Sequence, residues 1–266
     1  MRTVTPMEPA ERSDGARPPG RRMAPTPPPP GDRRTLSEEV VVVLMLSLFA
    51  SAVYAVLSLL EAPLAGTVVA SANQSTQLAR QLAAFVFGLA PVFLVLHLVR
   101  RSGEGPGGIG LAIDRPAPDL VRGLGLFAIV GLVGVGLYLG AVELGLNRFV
   151  IPAPPLGHWW TVPVLLLSAL EAALVEEVIV LGYLATRLRQ LSWSPVATVA
   201  GSSALRASYH LYQGWGGFLG NLAMGVLFSV LFLRWRRTWP FVVAHFLLDA
   251  AAGLGYIAFR DRLPGF

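Results

Sequence analysis

Long apolar runs constrain the fold of this chain more than any other feature. Seven stretches approach or exceed the roughly 20 apolar residues that an α-helix needs to cross a bilayer. They lie at about 38–60, 77–100, 119–145, 160–186, 195–212, 216–234 and 239–259. Only 14% of the 266 residues are charged, against about 25% in soluble domains. We therefore predict an all-α, polytopic transmembrane helical bundle of about seven spans, with an eighth, re-entrant or missed segment left open.

The ends of the apolar runs indicate topology. Residues 1–36 are polar and rich in Arg and Pro, which is typical of a disordered cytoplasmic tail before a transmembrane domain at 37–266. Thr35 to Glu38 has capping-box spacing that could start the first helix. Arginines crowd the tail and alternate connections, and all six tryptophans fall at predicted helix ends. The positive-inside rule then predicts a cytoplasmic N-terminus, and we expect a multi-pass protein of the plasma membrane.

Composition excludes several chemistries. The chain has no cysteine, so it cannot form disulfides, iron–sulfur clusters or thiolate–zinc sites. Its net charge of +5 does not indicate nucleic-acid binding, because the arginines lie in the tail and at helix ends rather than on one basic face. The expected partner at this level is the lipid bilayer, with no nucleic acid.

Ionisable side chains within the predicted spans are concentrated in the C-terminal half. A charge at the bilayer centre costs about 2.5–3.5 kcal/mol, so each needs a partner or a function. Those in the fourth, fifth and seventh predicted helices are Glu171, Glu176, Glu177, Arg206, His210, His245 and Asp249. The default interpretation is a polar site enclosed by these three helices.

Spacing assigns these side chains to helix faces. Two pairs lie four residues apart and so share a face: Arg206 with His210, and His245 with Asp249. Glu176 and Glu177 differ by about 100° around the helix and face different partners. One carboxylate can then act as a base on water while the other holds a neighbouring helix.

Three segments resemble the motifs of a known family. Glu176–Tyr183, Ser202–His210 and Pro240–Asp249 are similar, in order, to the first, second and third motifs of the CPBP (Abi) family, which contains the CAAX proteases and bacteriocin-processing enzymes. The resemblance covers about residues 160–257, and all three motifs fall on separate predicted spans.

The resemblance implies an intramembrane endopeptidase of glutamic type that needs no cofactor. Glu176 would activate a water with help from His210, while His245 and Asp249 would stabilise the tetrahedral oxyanion. The expected substrate is a peptide or protein within or at the membrane.

The chain departs from the family pattern at three positions. Leu181 stands where the first motif usually has Arg, and Arg206 stands where the second usually has Phe. We hypothesise that Arg206 replaces the lost arginine and forms a structural ion pair with Glu177. Asp249 stands where many members have Asn, and an ionised Asp would repel an oxyanion unless it is protonated or held by His245.

Two other functions stay open. In a metal-dependent variant, Glu176, His210 and His245 would be zinc ligands, although no HExxH spacing supports this. Alternatively, the chain is a non-catalytic membrane scaffold or transport-like protein that retains the family fold, with the two glutamates as structural polar groups. Glu171 matches no motif and is interpreted as structural.

Overall fold

The described part of the chain is helical. A computed structural model of the protein describes residues 30–60, 74–146 and 156–259. The α-helices are α1 (Pro30–Met45), α2 (Leu48–Leu60), α3 (Gln74–Gly88), α4 (Ala90–Arg101), α5 (Gly105–Gly108), α6 (Pro116–Glu143), α7 (Thr161–Glu176), α8 (Thr186–Gln190), α9 (Pro195–Tyr209), α10 (Trp215–Trp235) and α11 (Trp239–Phe259). A π-helix, Glu177–Ala185, joins α7 to α8, and a 3₁₀ turn, Leu211–Gln213, follows α9. No strand occurs within these ranges, which supports the all-α prediction.

Four helical stretches of the described residues are long and apolar enough to cross a membrane: Gln77–Arg101, Pro116–Ala141, Trp215–Trp235 and Trp239–Phe259. The remaining predicted spans do not qualify in this form. Helix α9 has 15 residues, about 22 Å of rise against a hydrocarbon core of about 30 Å. The continuous helical stretch from α7 through the π-helix to α8 is long enough to span a membrane, but it contains three glutamates. The structure thus supports a helical membrane protein and leaves the number of spans open.

Two predicted helices contain irregularities. The run at 38–60 is interrupted at 46–47, whereas the run at 77–100 has a one-residue turn at Leu89 and still forms one stretch long enough to span. The Ser47 hydroxyl donates to the Val43 carbonyl at 2.6 Å, and Pro91, the second residue of α4, has no N–H to donate. Hydropathy is uninterrupted at both places, so the apolar pattern alone predicted continuous helices.

The first helix also begins earlier than predicted. Helix α1 starts at Pro30, so Thr35 and Glu38 lie inside it and the capping-box prediction is wrong. Arg34 pairs with Glu38 one turn later at 2.8 Å, and Ser37 donates to the carbonyl of Arg33. The helix therefore extends into the stretch predicted as a disordered tail, of which residues 1–29 lie outside the described ranges.

The π-helix forms the centre of the core. All nine of its residues are buried, and α4, α9, α10 and α11 contact it. At Gly182 an added Cβ would lie 3.1 Å from the Ile109 carbonyl oxygen. The glycine thus allows the connection between α4 and α6 to pass directly over the π-helix.

That connection is held to the start of α11. Thr238 donates from its hydroxyl to Ile109 O at 2.6 Å, and from its backbone N–H to Gly110 O at 2.9 Å.

The Arg237 guanidinium, which is buried, donates to both carboxylate oxygens of Asp119, to the carboxylate of Asp114 and to Ala112 O. The hydrogen bond that Arg237 donates to Asp114 holds the pKa of the Asp114 carboxyl below its usual range. These bonds fix the end of the bundle from which α11 carries His245 and Asp249 inward.

Candidate active site

Glu177 lies at the centre of the polar cluster. Its side chain and that of Arg206 are both 0% exposed, and Arg206 Nη2 donates to Glu177 Oε1 at 2.5 Å. His245 Nδ1 contacts the same oxygen at 2.7 Å. One carboxylate oxygen therefore joins α9 and α11 to the start of the π-helix. The contact with Arg206 is the one that the ion-pair hypothesis required.

Arg206 also contacts the second glutamate. Its Nη1 lies 3.5 Å from Glu176 Oε2, and its guanidinium lies over the Phe228 ring at 5.7 Å. An isolated charge at this depth would be costly, so the two carboxylates are its compensation. Arginine at position 206 thus contacts both members of the Glu-Glu pair.

Glu176 presents two unlike oxygens. Its side chain is 14% exposed, and the Tyr209 hydroxyl donates to Oε2 at 2.8 Å. Together with Arg206, this donor holds one edge of the carboxylate. No described residue bonds to Oε1, so that edge is available to a water or a substrate.

His210 follows Tyr209 directly, where α9 ends. Its Nδ1 lies 3.0 Å from the carbonyl oxygen of Arg206. Because a carbonyl only accepts, Nδ1 carries the proton, and a neutral ring then has its lone pair on Nε2. The ring lies 4.7 Å from the Tyr209 ring, which places His210 beside the tyrosine that binds Glu176.

His245 and Asp249 project from successive turns of α11. His245 is buried, and its Nε2 lies 3.4 Å from Asp249 Oδ2, whose side chain is 42% exposed. With Nδ1 on Glu177, both ring nitrogens of His245 face carboxylates. Any oxyanion contact from Nε2 must therefore replace or share a loose contact with Asp249.

The predicted site residues form one connected network, and Glu171 lies outside it. Glu176, Glu177, Arg206 and His245 form one contact network, and Asp249 joins it through His245. His210 joins through the backbone of Arg206. Glu171 has no bond to this network and faces a separate cavity.

Sequence reasoning missed Tyr209. The sequence does contain a signal. Tyrosine is usually found at membrane interfaces, whereas Tyr209 lies within a predicted span and beside a motif histidine, which suggests that its hydroxyl has a polar partner there. Its contact with Glu176 depends on how α7 and α9 are rotated against each other, which spacing within one helix does not give.

Within the described residues, no group of three or more His, Asp or Glu side chains is arranged to hold a metal ion. Glu176, His210 and His245, the set named for the zinc alternative, belong to one neighbourhood but each has contacts of its own. Metal dependence therefore stays an alternative to be tested by experiment.

Comparison with known protein families finds a match in the C-terminal half of the chain. Residues 158–251 match the family model described as Rce1-like, type II CAAX prenyl endopeptidase. The matched segment begins just before α7 and ends within α11, so it contains the whole polar network. The resemblance predicted from the three motifs is confirmed. No curated protein and no solved structure matches the chain.

Proposed function

We propose that the protein is an intramembrane endopeptidase of the CAAX-protease type, in which Glu176 activates the water that hydrolyses a peptide bond. The observation that carries the proposal is the asymmetry of Glu176. Tyr209 and Arg206 hold Oε2, while Oε1 has no partner in the described residues. The match to the CAAX-protease family supports the reaction class.

In the proposed reaction, water lies between Glu176 Oε1 and the Nε2 of His210. Glu176 accepts a proton as the water oxygen bonds to the scissile carbonyl carbon, giving a tetrahedral oxyanion. The intermediate collapses when the peptide C–N bond breaks and the nitrogen receives that proton. The products are a carboxylic acid and an amine, and Glu176 is ionised again.

His245 and Asp249 are proposed to stabilise the oxyanion. A carboxylate repels an oxyanion, so Asp249 must either be protonated or have its negative charge balanced by His245. The 3.4 Å contact between His245 Nε2 and Asp249 supports this arrangement, because it already orients the imidazole. With Nδ1 still on Glu177, the Nε2–H of His245 can donate to the substrate oxygen in place of Asp249 when charge develops there.

The proposal includes no cofactor, and its first test is cleavage by the purified protein. Wild-type protein in liposomes is mixed with a pool of single-span peptides and a prenylated CAAX peptide, and the products are identified by mass spectrometry. We expect hydrolysis at a defined peptide bond that persists in excess chelator. Activity that is lost in chelator and restored by zinc supports the metal-dependent alternative, and no cleavage of any peptide supports the scaffold alternative.

We further propose a plasma-membrane location with the N-terminus in the cytoplasm and a membrane-associated peptide or protein as the partner. The excess of arginine in the tail supports this orientation. Because the chain has no cysteine, a single cysteine introduced into the tail is a unique label. An impermeant maleimide should label it only after the cell membrane is opened, and labelling of intact cells would reverse the orientation.

A further inference from the structure

A cavity of about 530 Å³ lies apart from the Glu176 network. It forms where the break between α1 and α2 faces the break between α3 and α4, with α7 as the third wall. The residues that define it are Leu46, Ser51, Phe87, Leu94, Glu171 and Val175. Its walls are mostly apolar, and among the described residues that line it Glu171 is the only charged one.

The Glu171 carboxylate occupies space left by a glycine. A Cβ added at Gly88 would overlap the carboxylate group, so the side chain lies directly against the end of α3. No residue in the described ranges donates a hydrogen bond to Glu171 or pairs with it. A carboxylate among apolar walls is unfavourable unless a cation or a donor reaches it.

The cavity adjoins the proposed active site along α7. Val175, one turn after Glu171, lines the cavity and directly precedes Glu176. Glu171 is five residues before Glu176, a rise of about 7.5 Å, which an extended peptide covers in about two residues. Helix α2 provides another cavity wall and also packs against α9 and the turn after His210.

We propose that this cavity is a subsite for a cationic side chain of the substrate, arginine or lysine, with Glu171 as its counter-ion. The proposal rests on the peptidase function above and names a substrate class for it. The long apolar stem of Arg or Lys matches the apolar walls, and its charged head reaches the carboxylate. A substrate with an uncharged residue there leaves Glu171 unpaired, so the site discriminates by charge.

A charge-swap experiment tests the subsite. Wild type, Glu171→Gln and Glu171→Lys are compared in liposomes on peptides that differ at one position within four residues of the cleavage site, carrying Arg, Met or Glu. Wild type should cleave the Arg peptide at least about 10-fold faster than the Met peptide, since about 1.4 kcal/mol corresponds to that ratio. Glu171→Gln should lose the preference, and Glu171→Lys should prefer Glu.

Cleavage by wild type with equal rates for the three peptides at every tested position overturns the subsite and leaves the peptidase function standing. A second measurement does not need cleavage. Peptides carrying a photoreactive group beside the Arg or Met are crosslinked to Glu176→Gln protein, and the crosslinked residue is mapped. Crosslinks at the cavity that require both Arg and Glu171 support the subsite even if no peptide is hydrolysed, and crosslinks independent of either overturn it.

Discussion

At the residue scale, the two adjacent glutamates differ in exposure and in partners. Glu177 is fully buried and shares one oxygen between Arg206 and His245. Glu176 is partly exposed, with one oxygen held and the other without a described partner. The two glutamates therefore have different partners, as the 100° offset between them predicted, and this contrast supports the proposal that Glu176 rather than Glu177 activates water.

Tyr209 is expected to position the Glu176 carboxylate. A hydrogen bond to a charged group contributes about 1.5–3 kcal/mol, so Tyr209→Phe should lower kcat about 10-fold to 100-fold with little change in KM. Tyr183→Phe is the matched control, because Tyr183 is also buried and its hydroxyl has no hydrogen-bond partner within the described part of the chain. Equal kcat in the two variants would contradict the positioning role.

Arg206 is expected to be structural. Removing one partner of a buried ion pair costs about 3–5 kcal/mol, so Arg206→Ala should lower the yield of folded protein and abolish activity. The measurement is the thermal unfolding midpoint in detergent, alongside cleavage. Arg34→Ala is the control, since Arg34 forms an exposed i,i+4 pair with Glu38. A variant at position 206 with wild-type stability and activity would refute the ion-pair assignment.

Substitutions of Asp249 test whether this residue acts as a hydrogen-bond donor or through its negative charge. An asparagine donates a hydrogen bond without carrying a negative charge, so Asp249→Asn should keep activity, whereas Asp249→Ala should lose it. Cleavage rates of both variants, normalised to folded protein, provide the test. The opposite order, with alanine active and asparagine inactive, would show that Asp249 does not stabilise the oxyanion.

Sequence predicted part of this network. The missing arginine at 181 and the extra arginine at 206 together pointed to a contact between Arg206 and Glu177, because a buried charge needs a partner. The Tyr209–Glu176 bond and the double contact of His245 could not be predicted in this way. They depend on the rotation and depth of three helices relative to one another.

At the element scale, the π-helix and the connection over it set the position of the site. A π-helix has wider i→i+5 bonding and is frequent at functional sites. Here it begins at Glu177. The Ile109–Leu111 segment passes between Gly182 and the start of α11, where Thr238 and Trp239 donate to its carbonyls.

Gly110 is expected to be required for this crossing. It has a φ of +80°, and an added Cβ would lie 2.9 Å from Thr238 N. Gly103 has a similar φ of +77°, but nothing lies within 4 Å of its added Cβ. Both alanine variants share the strain of a positive φ, so the difference between them isolates the steric contact. Gly110→Ala should unfold at lower temperature than Gly103→Ala by an amount equivalent to about 1–3 kcal/mol, and equal midpoints would contradict the tight crossing.

Some helix boundaries were predicted correctly from the sequence and others were not. The last helix was placed at 239–259, where the structure has it, because Trp239-Pro240 starts a long apolar run. The breaks at 46–47 and Leu89 were missed, since apolar residues continue through them. Those breaks are nevertheless where the cavity forms, so hydropathy alone could not have indicated the proposed subsite.

At the scale of the whole molecule, polar chemistry is concentrated in the segment that matches the CAAX-protease family. Residues 158–251 contain every member of the Glu176–Glu177 network, and α6 packs against α11 from outside it. Helices α2, α3 and α4 and the connection between α1 and α2 add the cavity walls next to α7. The contacts of the Glu176–Glu177 network therefore come from the C-terminal half, while the N-terminal half contributes walls to the neighbouring cavity.

The central claim is that Glu176 activates the hydrolytic water, and one substitution tests it directly. Glu176→Gln keeps the size of the side chain and can still accept from Tyr209, but it is a poor base. Cleavage in liposomes should fall at least about 100-fold, the lower range of general-base contributions, while the protein stays folded, because Glu177 still pairs with Arg206. Glu143→Gln, at the exposed end of α6, should match wild type. Cleavage by a folded Glu176→Gln protein at the wild-type rate would contradict the account.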